Sequence, residues 1–216
     1  MMASAERFDV TVRGSQTHAA RPWAGVDPIV VSSQIVLGLQ TIISRQTDIT
    51  RAPAVVTVGT IDGGVRNNII PDSTTMTGTI RTFDPDMRDS IHERIQRTVT
   101  NIAESAGASA ELTIYPGVPV TFNDADLTRQ MAPTLERLYG ADNVLEAALV
   151  TGAEDFSFYQ EEVPGFFFFI GGRPVDVPVS EAIPNHSPRF YIDEDALLPA
   201  VRAMSTLAVD YLNDAM

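Results

Sequence analysis

Three short motifs carry polar residue types that could do hydrolytic chemistry. They are GSQTHAARP with His18, RNNIIPD with Asn68 and the later Arg81, and PNHSPRF with His186. A histidine can bind a metal ion or donate a hydrogen bond to a negatively charged oxygen. An arginine can bind a carboxylate through two parallel hydrogen bonds. Together these residue types are typical of parts of a metal site that hydrolyses amides.

The metal-binding part of this pattern is incomplete. The chain contains three histidines and no cysteine, so disulfides and thiolate ligands are excluded. A catalytic zinc ion needs about three protein ligands and one open position. His186 follows a predicted buried strand, where α/β proteins place their sites. Glu154 and Asp155 follow another predicted strand and are expected at the same rim. Taken alone, His186 is a surface or structural histidine and His18 a loop histidine.

The remaining candidates also have ordinary structural interpretations. Asn67 and Asn68 suit a hairpin loop that needs unusual backbone angles. Arg81 is predicted on the outer face of a strand, where it could bind a carboxylate or face solvent. His92 is predicted to be solvated beside the apolar stripe of a helix. The acidic pair at 161–162 is predicted to lie on a solvated surface.

The first half of the chain has the element order of a ferredoxin-like sandwich. Alternating apolar positions predict strands, and Asp-Pro pairs followed by apolar positions three and four residues apart predict helices. The predicted strands span 7–12, 54–61, 74–83 and 109–115, and the predicted helices begin at Pro28 and Pro85. The order βαββαβ predicts an antiparallel four-stranded sheet with two helices on one face.

The second half has the pattern of a partial α/β domain that begins near residues 116–121. The predicted elements are a helix at 125–139, strands at 143–150 and 166–170, and a last helix from Asp193. That last helix is expected to use an apolar stripe of Leu197, Leu198, Val201, Met204, Leu207 and Leu212. The segment FFFFI predicts a strand buried on both faces. Half a domain leaves apolar sheet edges exposed, so the isolated chain is expected to self-associate.

Composition excludes several classes of partner. The formal net charge is -13 and the isoelectric point is near 4.5, which would repel nucleic acid and anionic membranes. No uninterrupted apolar run reaches the roughly 18 residues of a membrane span. The N-terminal MMASAERFDV lacks the apolar core of a signal peptide. The expected location is the cytoplasm.

The order of the motifs is more distinctive than any one of them. Along the chain follow GSQTHAARPWAGVDPI, APAVVTVGTIDGGVRNNIIPD, GTIRTFDPDMRD, GAEDFSFYQEEVPGFFFFIG and NHSPRFYIDEDAL. The series resembles the di-metal amidohydrolases of the aminoacylase and carboxypeptidase superfamily. It is most similar to hippurate hydrolases, N-acyl-amino-acid amidohydrolases and indole-acetyl-amino-acid hydrolases. The resemblance extends from about residue 7 to residue 212.

The resemblance implies an α/β protein with an α+β lid. Residues 7–116 would be the ferredoxin-like lid, which also forms a homodimer. Residues 117–216 would be the C-terminal half of the catalytic domain. The complete site would hold two divalent metal ions, zinc or manganese, and hydrolyse N-acyl amino acids.

The resemblance also assigns roles to individual residues. His186 matches the last metal ligand. His18 matches the lid histidine that stabilises the oxyanion in the partner subunit's site. Asn68 and Arg81 match the lid residues that hold the free carboxylate of the substrate. These roles suit the residue types, because an oxyanion needs a fixed donor and a carboxylate suits an arginine fork.

The chain departs from the family pattern in what it lacks. The N-terminal catalytic half would supply the bridging ligand, further histidines and a Glu-Glu pair that contains the general base, and none of these is in the chain. The sequence therefore predicts a fragment that is inactive alone. Either the first half resides on another polypeptide, which would complete the enzyme, or it was removed, or the chain is a decayed gene product. The alternatives are a non-catalytic dimerisation or carboxylate-binding module, or a truncated product without function.

Overall fold

A four-stranded antiparallel sheet forms the centre of the first of two units in this computed structural model, which describes residues 1–214. The first unit comprises Met1–Thr121 with Ala148–Glu161, and the second comprises Phe122–Ala147 with the chain from Glu162 onward. The strands are β1 (Ala5–Arg13), β2 (Thr17–His18), β3 (Ala54–Gly63), β4 (Ile69–Ile70), β5 (Ser73–Thr82) and β6 (Ser109–Val118). The helices are α1 (Pro28–Thr41), α2 (Pro85–Ser105), α3 (Ala125–Tyr139), α4 (Phe156–Gln160) and α5 (Leu197–Asp214).

The predicted ferredoxin-like fold is confirmed. The main sheet has the order β3-β5-β1-β6, and every neighbouring pair is antiparallel. Val10 in the central strand β1 pairs with Met76 on one side and Leu112 on the other. Because side chains alternate across a strand, these apolar residues share the face that the helices cover.

The two helices of the first unit begin where their Asp-Pro pairs predict. The Asp27 carboxylate accepts hydrogen bonds from the first turn of α1, and the Asp84 carboxylate accepts one from the Met87 amide in α2. Such caps satisfy backbone donors that have no partner within the helix. The buried positions of α2 recur at spacings of three and four: Met87, Ile91, Ile95, Val99 and Ala103. Burial of each isoleucine contributes about 1.5–3 kcal/mol.

Helix α1 is apolar on more than its buried face. Val31, Ile35 and Leu39 pack into the core, while Val30 and Leu37 are exposed. Helix α1 and the π-turn that follows it, Pro28–Gln46, are long and apolar enough by composition to cross a membrane. The expectation that no segment passes this test was therefore wrong, because it counted only uninterrupted apolar runs. The packed face makes α1 a core helix of this unit, and the cytoplasmic location stays a prediction.

His92 is not solvated as predicted. Its Nε2 lies 2.7 Å from the Glu6 carboxylate, which is almost fully buried at the start of β1. A buried carboxylate needs a hydrogen-bond partner, and α2 supplies it beside its apolar stripe. The sequence could not show this contact because the two residues are 86 positions apart.

The second unit has a small core between two helices. Its buried core residues are Met131 and Leu135 of α3 with Ala203 and Leu207 of α5. The Tyr139 hydroxyl donates a hydrogen bond to the Pro199 carbonyl across the same pair of helices. The predicted helix at 125–139 and the Asp193 cap are confirmed, although a short 3-10 turn, Glu194–Ala196, precedes α5. Three other short turns are Pro22–Ala24, Ala141–Asn143 and Val179–Glu181.

The two predicted strands of the second half are not present. Residues 143–150 and 166–170 have no strand structure apart from an isolated bridge at Val150. Phe166 and Phe168 turn toward the core and stack, whereas Phe167 and Phe169 meet edge to face. The segment is thus extended, but no strand of the described chain lies beside it. A strand needs partner strands to satisfy its backbone, and this sequence does not supply them.

The Asn123 side chain substitutes for a missing strand. Its amide donates to the Phe167 carbonyl at 2.8 Å and accepts from the Phe167 amide at 2.7 Å. This pair of hydrogen bonds reproduces the way in which an antiparallel neighbour brackets one residue.

Helix α5 also differs from its prediction. Five of the six apolar residues that were expected to pack are exposed: Leu197, Leu198, Val201, Met204 and Leu212. Leu198 alone exposes 76% of its surface. An apolar helix face normally covers a sheet or another helix, so α5 offers a surface for further polypeptide. The division into a lid at 7–116 and a partial catalytic domain at 117–216 remains a prediction.

Candidate functional site

A two-stranded ribbon joins the first two motifs. In strands β2 and β4, Thr17 pairs with Ile70 and His18 pairs with Ile69. The Ala19 amide donates to the Asn68 carbonyl at 3.0 Å. The predicted site residues His18 and Asn68, which are 50 positions apart in sequence, therefore lie on one ribbon.

The loop that carries His18 is closed at its base. The backbones of Ser15 and Val26 exchange two hydrogen bonds of 2.9 and 3.1 Å. Gly25 lies so close to this base that a Cβ atom there would stand 2.4 Å from the Ser15 carbonyl oxygen. Only glycine fits at this approach, and the two hydrogen bonds hold the ends of the loop from 15 to 26 together.

The imidazole of His18 is exposed and anchored on one side. Its Nδ1 accepts a hydrogen bond from the Ala20 amide at 3.0 Å. The Arg21 amide donates to the His18 carbonyl at 2.8 Å, which closes a tight turn around the ring. Nε2 is left pointing away from this anchor. The role of the Ala20 amide could not be found by sequence reasoning, because a backbone donor has no residue signature.

Arg81 lies half-buried on the sheet face that the helices leave open. It pairs with Val55 across strands β5 and β3. Within the described residues, no hydrogen bond or ion pair holds its guanidinium. Arg7 is the contrasting case on the same face: it donates two hydrogen bonds to Asp9 and thereby lowers the pKa of that carboxyl. Arg81 is thus available to an external carboxylate, whereas Arg7 is occupied.

Within one chain, Arg81 lies far from the ribbon of β2 and β4. Strand β5 begins at Ser73, which pairs with Arg13 at the ribbon end of the sheet. Arg81 comes eight residues later, roughly 26 Å along an extended strand. His18 and Asn68 therefore lie at one end of the sheet, and Arg81 lies at the other.

His186 is exposed in the second unit and has an unusual backbone. Its φ angle is 68°, and it is the one non-glycine residue with positive φ in residues 1–214. Strained backbone of this kind costs about 1–3 kcal/mol and clusters at functional sites. The acidic pair at 161–162 is exposed, as predicted.

The residues present do not form a metal site. Nowhere in the described part of the chain do three or more His, Cys, Asp or Glu side chains come together as metal ligands would. His186 therefore has no companion ligands here, and a resident metal would need donors from outside these residues.

Comparisons with known proteins agree with the fold and these motifs. The family model described as a peptidase dimerisation domain, M20_dimer, matches residues 4–107. The chain is 34% identical to N-acetylcysteine deacetylase of Bacillus subtilis over 97% of its own length and 52% of that protein. It is 35% identical to IAA-amino acid hydrolase ILR1-like 2 of Arabidopsis thaliana over 99% of its own length and 48% of that protein.

A solved structure is similar to this chain as well. The backbone matches a dinuclear metal-binding peptidase of the M20 family from Bacillus subtilis with a TM-score of 0.77 and 32% identity. That match covers 99% of this chain and 51% of the other. Residues 4–107 are thus an M20-type peptidase dimerisation domain, and the chain as a whole is similar to M20 peptidases and amidohydrolases. It spans about half the length of the curated relatives that it matches.

Proposed function

We propose that this chain provides the lid and the C-terminal part of the catalytic domain of a zinc- or manganese-dependent amidohydrolase that acts on N-acyl amino acids. The observation that carries the proposal is the ribbon, which holds His18 beside Asn68 with the imidazole Nε2 free. In this role the His18 ring donates to the oxyanion that forms when the amide carbonyl is attacked. Asn68 and the unpaired Arg81 hold the carboxylate of the amino acid.

The metal would belong to the complete enzyme. His186 would be one ligand, and its strained backbone supports a functional role. The other ligands and the general base would come from polypeptide that these 216 residues do not contain. The metals would supply Lewis acidity and an activated water.

The distance between Arg81 and the ribbon supports a site shared between two subunits. If His18 and Asn68 of one subunit serve the same substrate as Arg81, the two ends of the sheet must come from different copies. A homodimer through the lid meets this need.

The dimer contact that we propose combines α1 with the outer edge of β3. Val30 and Leu37 are seven residues apart and so share one face of α1, and Leu37 exposes 69% of its surface. Helix α1 packs beside β3, whose second edge has no partner strand in the described chain. An apolar helix face next to a free strand edge suits isologous pairing.

A charge on this face tests the dimer. Leu37→Glu is expected to convert the dimer to a monomer, because a carboxylate would be buried without a partner. Ile49→Glu is the matched control, since Ile49 is similarly exposed in the same unit but lies outside α1 and β3. Light scattering at micromolar concentration measures the mass. A monodisperse monomer before mutation, or a dimer that survives Leu37→Glu, contradicts the proposed contact.

The missing catalytic half would pack on the second unit. The extended segment at 166–170 would become a strand between partner strands, and the exposed face of α5 would cover the resulting sheet. The absence of a strand beside 166–170 in the described residues and the five exposed residues of α5 support this proposal.

Complementation tests the enzyme proposal directly. The chain is co-expressed with the N-terminal half of the Bacillus subtilis deacetylase, and the co-purified complex is assayed on N-acyl amino acids with and without a chelator. Metal-dependent release of free amino acid is expected. His186→Ala should abolish it, and Arg81→Ala should raise KM for substrates with a free carboxylate. A stable complex without hydrolysis of any N-acyl amino acid contradicts the proposal.

A second function is favoured by one observation. Because the described residues form no metal cluster, the chain could act as a dimerisation or carboxylate-binding module. In that case the isolated chain binds N-acyl amino acids through Arg81. Calorimetric titration of the chain and of Arg81→Ala tests this, and equal affinities would remove the binding version.

A further inference from the structure

The Ala20 amide determines which nitrogen of His18 carries the proton. Its N–H donates to Nδ1 of the imidazole at 3.0 Å. A ring nitrogen accepts a hydrogen bond only through its lone pair, so Nδ1 is unprotonated in this contact. In the neutral ring the single proton is therefore on Nε2. In that neutral form, His18 is thus arranged as an outward hydrogen-bond donor.

Three consecutive backbone amides build this arrangement. Ala19 donates to the Asn68 carbonyl on the opposite strand, Ala20 donates to the His18 ring, and Arg21 donates to the His18 carbonyl. The first bond fixes the ribbon and the third fixes the turn. The Ala20 N–H is then left directed at the imidazole, within the loop whose base is closed by Ser15 and Val26.

We propose that the main-chain amide of Ala20 is a positioning group that holds His18 as the Nε2–H tautomer and fixes the orientation of its ring. The catalytic consequence rests on the proposed function of His18 as oxyanion donor. An Nε2–H directed at the oxyanion stabilises its charge, whereas the other tautomer would present a lone pair to it and repel it. A proline at position 20 has no backbone N–H and could not make this contact.

The other histidines provide references within the same chain. His92 uses its Nε2 toward the Glu6 carboxylate, so its hydrogen bonding differs from that of His18. His186 makes no such contact with a neighbouring amide among the described residues. Only His18 is expected to show a bond between an amide nitrogen and a ring nitrogen.

Nuclear magnetic resonance of the full chain, uniformly labelled with 15N and 13C, tests the proposal. At a pH where histidine is neutral, a scalar coupling across the hydrogen bond should connect the Ala20 amide nitrogen with His18 Nδ1. His18 Nδ1 should have an acceptor-type shift and Nε2 a donor-type shift. The variant Ala20→Gly, which keeps the N–H, should retain the coupling, and Ala20→Pro should lose it and release a mixture of tautomers.

The coupling from Ala19 to the Asn68 carbonyl shows whether the ribbon is intact in each variant. If that coupling is present and the Ala20–His18 coupling is absent in the unmodified chain, the positioning role is overturned while the amidohydrolase proposal stands. If the Ala20–His18 coupling is present but the complemented enzyme hydrolyses no amide, the proposed function fails and the tautomer assignment stands. The two proposals therefore fail by different measurements.

Discussion

The two units of this chain differ in how completely they bury their apolar residues and pair their backbones. The first unit buries sixteen apolar residues in one core and pairs its four main strands with each other. In its described residues, up to 214, the second unit buries four apolar residues in its core, leaves most of one helix face exposed, and has no strand beside the segment at 166–170. The difference shows that the first unit completes its own core and sheet, whereas the second unit leaves apolar surface uncovered.

Backbone hydrogen bonding makes the same distinction. In the first unit each strand of the main sheet has a neighbour that accepts and donates along its length. In the second unit, the Asn123 side chain makes two hydrogen bonds to the Phe167 backbone, in place of a neighbouring strand.

The largest contrast should come from deleting apolar side chains in each unit. Ile95→Ala removes a fully buried side chain from the first core and should lower the free energy of unfolding by about 2–5 kcal/mol. Phe169→Ala removes a larger side chain that is 55% exposed, and should change the free energy of unfolding by about 0.5 kcal/mol or less. Urea unfolding followed by far-ultraviolet circular dichroism measures both. Equal losses would show that the second unit has a core as complete as the first.

A smaller effect is expected from the asparagine that replaces a strand. Asn123→Ala removes both hydrogen bonds to Phe167 and should lower the free energy of unfolding by about 1 kcal/mol for each bond. Asn123→Asp keeps the acceptor but loses the donor, and should cost about half as much. Hydrogen exchange at Phe167 should accelerate in Asn123→Ala while β1 and β5 stay protected. Unchanged hydrogen exchange at Phe167 would mean that the two Asn123 hydrogen bonds do not order this segment.

The smallest effect concerns one helix cap in the first unit. The amide of Met87, and then Arg51 at 2.6 Å, lower the pKa of Asp84. The carboxylate therefore stabilises the fold fully above the unfolded-state pKa of about 3.9, and this contribution is lost as pH falls through the lower folded value. Asp84→Ala should lower the free energy of unfolding by about 1 kcal/mol at pH 7 and by less in strong acid, where the charge-dependent part is lost.

Asp89→Ala is the control for the cap, because Asp89 is exposed on the same helix and pairs only with its neighbour Arg88. It should leave stability nearly unchanged at both pH values. Urea titrations at pH 7 and in strong acid measure the difference. A loss for Asp84→Ala that does not depend on pH would contradict the charge-dependent cap.

Sequence reasoning worked where the signal is local. The stripe of Met87, Ile91, Ile95 and Val99 predicts the buried face of α2, and Asp84 predicts its first turn. Helical period and capping chemistry depend only on neighbouring residues, so one sequence contains them. The alternation of the four main strands is a local signal of the same kind.

Sequence reasoning failed where the structure depends on distant or missing partners. The FFFFI segment has the composition of a buried strand, but a strand forms only beside other strands. The contact of His92 with Glu6 and the approach of His18 to Asn68 depend on long-range pairing that no spacing reveals. Arg81 was correctly expected on the open sheet face, since strand alternation is local, but its separation from the ribbon required the sheet register.

The metal content of the isolated chain tests most directly whether this polypeptide is part of a catalytic domain. The purified chain and His186→Ala are incubated with zinc or manganese, desalted and measured by plasma mass spectrometry. The account predicts far less than one ion per chain in both proteins, because no three ligand side chains come together in the described residues. About one or two ions per chain, lost in His186→Ala, would show that this chain assembles a metal site by itself and would contradict the account.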